Sequence, residues 1–241
     1  MARALVHVAA LLAVVPGSAA QAQNAPQIVA AEYGGETTAY PHGALGDDIE
    51  YSALRITLDD GTTTLFQLPQ DPMTRVFEDL SPRLADVDGD GDAEVIVVES
   101  DFRLGAQLAI YDETGKIAST PHIGRRFRWL APVGVADLDG DGLIEVAFID
   151  RPHLAKSLNI YKYRDGKLVY LRKFDGLTNH RNGSDTIVGG IRDCGDGPEI
   201  VTANGNWSRV VISRLTGDRI EAKSVADYKG PASIEAVMAC N

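Results

Sequence analysis

Apolar and polar positions along this chain fall into short β-type runs, and the runs recur in four sets at a spacing of roughly 50 residues, the period of four-stranded repeat units. Each set opens with one β-rich run: Gln27-Ile28-Val29-Ala30, Glu94-Val95-Ile96-Val97, Glu145-Val146-Ala147-Phe148 and Glu199-Ile200-Val201-Thr202. A second run follows at Ser52-Ala53-Leu54-Arg55-Ile56, Gln107-Leu108-Ala109-Ile110-Tyr111, Ser157-Leu158-Asn159-Ile160-Tyr161 and Arg209-Val210-Val211-Ile212-Ser213. Turn signals end these second runs, at Asp59-Asp60-Gly61, Glu113-Thr114-Gly115, Arg164-Asp165-Gly166 and Thr216-Gly217-Asp218. Third runs such as Thr64-Leu65-Phe66-Gln67-Leu68 and Lys167-Leu168-Val169-Tyr170-Leu171 come next, and leading strands at Arg83-Leu84-Ala85, Gly134-Val135-Ala136 and Gly190-Ile191-Arg192 precede three of the four sets.

The first set lacks a leading strand, and Ile234-Glu235-Ala236-Val237-Met238-Ala239 near the C-terminus reads as the missing one. The expected fold is therefore all-β, a four-bladed β-propeller in which the C-terminal strand pairs beside Gln27 to Ala30, closing the ring and removing its exposed edges. An unclosed β-sandwich of the same strand count is the competing arrangement. The repeat period favours the radial array.

Composition adds an address and excludes one class of partner. Arg3, an apolar stretch from Ala9 to Val15 and the small-residue triplet Ala20-Gln21-Ala22 have the form of a cleaved signal peptide over residues 1–22, which leaves one domain over residues 23–241 in a periplasmic or secreted protein. The apolar stretch is well short of the roughly 20 residues that a spanning helix needs, so no membrane span is expected after cleavage. Formal net charge is −11, and loss of the single positive charge of Arg3 takes it to −12. A chain this acidic is a poor partner for nucleic acid.

Many carboxylates are concentrated in two loops. Asp86-Val87-Asp88-Gly89-Asp90-Gly91-Asp92-Ala93-Glu94 and Asp137-Leu138-Asp139-Gly140-Asp141-Gly142-Leu143-Ile144-Glu145 stand in register, each ahead of an opening β-run. Carboxylates at positions 1, 3 and 5, a backbone carbonyl at position 7 and a carboxylate at position 9 would supply the six or so hard oxygens that Ca2+ takes. An Asx-rich turn without metal is the plainer alternative. The pattern D-x-D-G-D-G-x-x-E before a hydrophobic strand resembles the FG-GAP or VCBS repeat, found in integrin α-subunit propellers and in many bacterial exported proteins. The resemblance implies two Ca2+ sites: Asp86, Asp88, Asp90, the Asp92 carbonyl and Glu94 in one, and Asp137, Asp139, Asp141, the Leu143 carbonyl and Glu145 in the other. The matching loop of the fourth set, Asp193-Cys194-Gly195-Asp196-Gly197-Pro198-Glu199, is two residues shorter and has lost a carboxylate, so no Ca2+ is expected there.

Cys194 and Cys240 occupy equivalent places in the repeat alignment, where an exported protein could oxidise them to a disulfide; two buried thiols are the alternative. Propeller topology places the loops after the second and fourth strands on the face opposite the acidic loops. Those loops hold Tyr40-Pro41-His42, Arg75, Phe77, Arg103, Arg125, Arg126, Arg128, Trp129, His153, His180, Arg181 and Trp207, the residue types that bind anionic or sugar-like ligands. Of these, Arg103, Arg125, Arg126, Arg128, Trp129, His153, His180, Arg181 and Trp207 are the candidate ligand-binding residues; loop composition and structural contacts are the plainer account of them. The leading expectation is a monomeric, non-catalytic module for a protein, carbohydrate or anionic ligand, with Ca2+ structural. The second is a periplasmic hydrolase or lyase with a site in the central channel built from a set such as His153, Arg128 and Asp185. A subunit of a larger envelope assembly is the third.

Overall fold

The computed structural model describes residues 25–217 and 219–240, so the expected signal segment at residues 1–22 and Asp218 of the last turn signal lie outside the described residues. The chain runs β1 (Ile28–Thr37), β2 (Glu50–Leu58), β3 (Thr63–Gln67), β4 (Arg75–Phe77), β5 (Arg83–Ala85), β6 (Glu94–Asp101), β7 (Gly105–Tyr111), β8 (Lys116–Ser119) and β9 (Leu130–Ala136). It continues through β10 (Glu145–Asp150), β11 (Ser157–Arg164), β12 (Lys167–Asp175), β13 (Leu177–Thr178), β14 (Gly190–Asp193), β15 (Pro198–Asn204), β16 (Arg209–Thr216) and β17 (Arg219–Asp227) to one helix, α1 (Pro231–Met238). The fold is all-β with a single short helix, and the four opening runs are β1, β6, β10 and β15. No helix among the described residues is long and apolar enough to cross a membrane.

All pairings within the units are antiparallel. The third unit is a four-stranded sheet in the order β12-β11-β10-β9, and the fourth follows the order β13-β15-β16-β17 with β14 also on β15. The first two units share one sheet of eight strands because β4 stitches them together: Phe77 pairs with both Tyr51 of β2 and Glu99 of β6. Arg75 and Phe77 are thus strand residues, where the sequence places them in a loop. Phe77 is buried and its Cβ side feeds the core, which fixes this short strand despite its length.

Hydrophobic packing runs from unit to unit. Leu54, Ile56 and Phe77 pack on Val95, Val97 and Tyr111; Ile96, Val98 and Leu108 on Leu130, Val146 and Phe148; and Ile149, Leu158 and Ile160 on Leu177, Ile200 and Val211. Strands buried on both faces explain why β6 and β10 read as continuous apolar runs rather than as alternating ones. At the far end of this series, the segment expected to close the ring is a helix. Pro231 sits in its first turn, Ala, Glu and Met favour helix over strand, and Ile234 and Val237, three residues apart, form one buried stripe. That stripe packs on Val201, Ala203 and Val210 of the fourth unit. The sheets are consequently open, and β1 pairs only with β2 among the described residues. The first and fourth units do meet on one side, where the Gly183 amide of the fourth unit donates to the Ala44 carbonyl in the loop between β1 and β2 (2.9 Å).

Cys194 and Cys240 form a disulfide, with Cα atoms 5.8 Å apart. It ties the β14–β15 turn to the end of α1, not to a closing strand. Closing a 46-residue loop restricts the unfolded chain by roughly 4 kcal/mol in the chain-entropy account. The Cys194→Ser/Cys240→Ser double variant should therefore unfold at clearly lower denaturant than the oxidised protein, with loss of helix signal first. Equal midpoints would show that α1 is held without the disulfide, by its apolar stripe and the Arg192 bond to the Val237 carbonyl.

Candidate functional site

The acidic loops are shaped by their own backbone. In the 86–94 loop, Asp86 accepts the Gly89 amide through Oδ1 (2.7 Å) and the Gly91 amide through Oδ2 (3.0 Å), while Asp88 and Asp90 cap the amides of Asp90 and Asp92. Gly89 and Gly91 both take positive φ, 80° and 93°, which a side chain would strain. The 137–145 loop repeats this: Asp137 accepts Gly140 (2.7 Å) and Gly142 (2.9 Å). In both, the last glutamate turns inward and accepts an amide from the loop start, Glu94 from Val87 (2.8 Å) and Glu145 from Leu138 (2.7 Å). Carboxylate oxygens converge in each loop. Those of Asp86, Asp88 and Asp90 lie within 4.8 Å of one another, as do those of Asp137, Asp139 and Glu145.

The two loops differ in what faces those oxygens. Around Glu94, burial raises the carboxyl pKa to about 7, and the charges of Asp88, Asp86 and Asp90 add to the rise against the pull of the Val87 amide. Three converging carboxylates and a destabilised fourth are a donor set that fits a hard divalent cation. The Asp92 side chain is used elsewhere, accepting the Ile28 amide (3.0 Å) and its neighbour's, which leaves its carbonyl as the expected ligand. In the 137–145 loop, by contrast, the Lys162 ammonium already lies among the carboxylates: it donates to Asp139 (2.9 Å) and to Asp141, and stands 3.1 Å from Glu145 Oε1 in an ion-pair contact. Burial works against the ammonium, but the hydrogen bonds to Asp141 and Asp139 outweigh it and hold Lys162 above its ordinary range. This donor set is occupied by a side chain and does not fit a cation as it stands.

On another part of the molecule, His42, Phe127, Arg128, Trp129, Arg151 and His153 line a cleft of about 290 Å³. Its floor is built from the core outwards. Trp129 is buried and donates its indole N–H to the Glu78 carbonyl (2.8 Å), and its ring meets those of His180 (4.9 Å between centroids) and His153 (6.4 Å). His180 Nε2 donates to the Ser184 carbonyl (2.9 Å), which leaves its Nδ1 to accept from His153 Nε2 (2.9 Å). Burial first, and the neighbouring His180 second, lower the His153 pKa to about 4, so the imidazole is neutral at physiological pH. On the opposite wall His42 stacks on Phe127 (5.1 Å) and binds the buried Glu78, whose other oxygen accepts the Ser100 hydroxyl. Phe127 and Arg151 hold positive φ, 53° and 45°, a backbone strain of order 1 kcal/mol each that the surrounding packing sustains. Gly105 makes room for this wall: a Cβ there would meet the Arg125 carbonyl oxygen at 2.3 Å and that of Arg128 at 2.7 Å.

Residues 86–148 match the FG-GAP-like repeat family. The matched span opens at Asp86 and takes in both acidic loops. No curated protein matches the chain. Among solved structures, the crystal structure of exotype rhamnogalacturonan lyase YesX is similar at 17% identity over 76% of this chain, with a TM-score of 0.43; the chain spans 42% of that protein's length.

Within and beyond the FG-GAP-like repeat span, the structure gathers some of the expected face residues and separates others. Arg128, Trp129 and His153 line the cleft, with His180 directly behind. Arg126 lies over the Phe127 ring at 4.4 Å, at the rim. Arg181 and Trp207 form a separate stack (4.3 Å) beside Tyr228. Arg103 and Arg125 are exposed and do not line the cleft, and Asp185, named with His153 and Arg128 as a possible catalytic set, is exposed and caps Thr186 instead. Three groups escaped the sequence reading: Glu78, Lys162 and Glu50. Glu78 follows directly on Phe77 in a segment read as loop. Lys162 was legible from strand register, since it lies directly opposite Glu145 on the neighbouring strand.

Glu50 is buried with Oε2 unpartnered, and burial, reinforced by Glu78, Asp47, Asp79 and Asp48, raises its pKa to about 10. A carboxyl with its folded pKa above its unfolded one stabilises the fold fully below about pH 4.5, and that stability is lost as pH rises toward about 10. Glu50→Gln should therefore match the parent near pH 4 and become progressively more stable than it as pH rises through 7 and 8. Denaturation curves that stay parallel at every pH would contradict this placement of the proton.

Proposed function

We propose that this chain is an exported, calcium-binding module of the FG-GAP or VCBS kind, its four units arranged radially as a propeller, whose cleft binds an anionic saccharide. The observation that carries the ligand reading is the cleft wall itself. Phe127, Arg128, Arg151 and His153 line it over a floor of buried Trp129, and while Arg151 is forked to Asp150, the Arg128 guanidinium spends one N–H on the Phe127 carbonyl and keeps the rest. The apolar surface of Phe127 can take the apolar side of a sugar ring, the Arg128 guanidinium a carboxylate, and the neutral His153, whose Nε2–H is committed to His180, can accept a hydroxyl at Nδ1. The loop-to-loop bond from Gly183 to Ala44, which brings the first unit to the fourth, supports the radial arrangement. In the 86–94 loop Ca2+ would be held by Asp86, Asp88, Asp90, the Asp92 carbonyl and Glu94. Its role is structural: it supplies the positive charge these oxygens need and pins the loop to the start of β1.

A second reading rests on the His42–Glu78 pair. A buried carboxylate bonded to a histidine that lines a cleft can fix the histidine's tautomer and tune it as a general base. With the neutral His153 across the cleft, the same pocket could abstract a proton from a bound uronate or assist hydrolysis.

Two experiments separate these readings. In titration calorimetry, an oligosaccharide of uronic acids should bind and its neutral counterpart of equal length should not, and Arg128→Ala should weaken binding at least tenfold. Indifference to the carboxylates would sink the anionic-saccharide reading, and accumulation of cleaved product that disappears in His42→Ala would install the enzymatic one. Saturating Ca2+ should raise the melting temperature, by about 2.7 kcal/mol of stability at a hundredfold excess over Kd. Asp88→Ala should abolish that rise.

A further inference from the structure

The two acidic loops carry the same D-x-D-G-D-G spacing, yet the residue facing their inward glutamate differs in kind. The antiparallel register sets Glu145 opposite Lys162. In the second unit Val95 pairs with Tyr111, so one step further Glu94 faces Asp112; in the fourth, Ile200 pairs with Ser213, so Glu199 faces Arg214. One strand position therefore holds a carboxylate, an ammonium and a guanidinium in three successive units. We propose that this position decides which loops take metal: Lys162 is the resident cation of the 137–145 loop, and the chain binds one divalent cation, in the 86–94 loop, where the repeat pattern implies two.

The side-chain contacts follow this order. Lys162, only 12% exposed, places its Nζ 2.9 Å from Asp139 Oδ2 and 3.1 Å from Glu145 Oε1, and it also donates to Asp141. A calcium ion held at about 2.3–2.6 Å from the same oxygens would stand within a few ångströms of that ammonium, where two cations repel. The tether also favours the lysine, because a side chain anchored on the adjacent strand needs no association entropy to reach the site. The fourth unit carries the substitution further: Arg214 bonds Glu199 Oε1 (2.8 Å) and the Asp196 carbonyl (2.8 Å), Arg192 holds the other Glu199 oxygen, and the loop itself is shorter. In the second unit the position offers no positive charge. Asp112 is turned into its own β-turn, accepting the amides of Thr114 (2.7 Å) and Gly115 (2.9 Å). Among the described residues none of Asp86, Asp88, Asp90, Asp92, Glu94 and Asp112 is in an ion pair. That loop is left with converging carboxylates and no side-chain cation, and an external one fits it.

The inference rests on the calcium reading above, and counting bound calcium by calorimetry and equilibrium dialysis on the oxidised protein tests the two apart. One site in the parent, abolished by Asp88→Ala, with two sites in Lys162→Met, is the expected result. Two sites in the parent would overturn the role given to Lys162. No site in the parent but one in Lys162→Met would uphold that role while removing calcium from the 86–94 loop, and no site in either would overturn both. Asp112→Lys supplies a reciprocal arm if Lys162→Met does not fold: the lysine should drive the site count from one to zero with the circular dichroism spectrum unchanged, and retention of the site would contradict the proposal.

Discussion

A glutamate stands at the start of the second strand of three units and is buried there: Glu94, Glu145 and Glu199. Burying a carboxylate is costly unless its charge and lone pairs are met, so the loop before each strand has to be built to meet them. One oxygen is satisfied locally, by the amide of Val87 in the second unit and of Leu138 in the third. The other faces the Lys162 ammonium in the third unit, arginines hold both oxygens of Glu199 in the fourth, and in the second the proposed divalent cation would take that place. The rest of each loop follows from that demand. Aspartates close it through backbone amides, glycines allow its reversals, and the loop then joins neighbouring strands at one end of the sheet.

With the loops fixed, the units stack through apolar strands buried on both faces, and their opposite ends can carry variable loops. The cleft depends on this rigidity. Phe127 and Arg151 hold left-handed backbone conformations, and the 125–128 segment lies directly on Gly105 at the start of β7. Such a wall keeps its shape without a ligand, which lowers the ordering cost of binding. Buried Glu78 links it to the interior, since it holds His42 on one side and, through its backbone carbonyl, Trp129 on the other.

The strand content and the loop motifs were legible because both are local. β-type runs, turn signals and carboxylate spacing sit within a few residues of one another, and the pairing Cys194–Cys240 followed from repeat alignment. The C-terminal segment was misread because Ile234-Glu235-Ala236-Val237 fits a strand by alternation and a helix by its i, i+3 pair. Pro231 and the helix-favouring Ala and Met residues decide between them, and the apolar edge of the fourth unit supplies the partner. Strand β4 was missed because three residues carry no periodicity; its place is set by Phe77 reaching the core. Lys162 lies seventeen residues after Glu145, and only strand register brings the two together. The shared D-x-D-G-D-G-x-x-E pattern of the 86–94 and 137–145 loops therefore implies two equal sites, while the neighbouring strand sets a lysine against the second loop alone.

The cation chemistry of these loops is tested most directly by a crystal structure of the oxidised protein grown in calcium, with an anomalous difference map. The account predicts one peak, ringed by Asp86, Asp88, Asp90 and Glu94, and a Lys162 ammonium still seated on Asp139 and Asp141. A peak in the 137–145 loop with Lys162 swung away, or no peak in either loop, would contradict it.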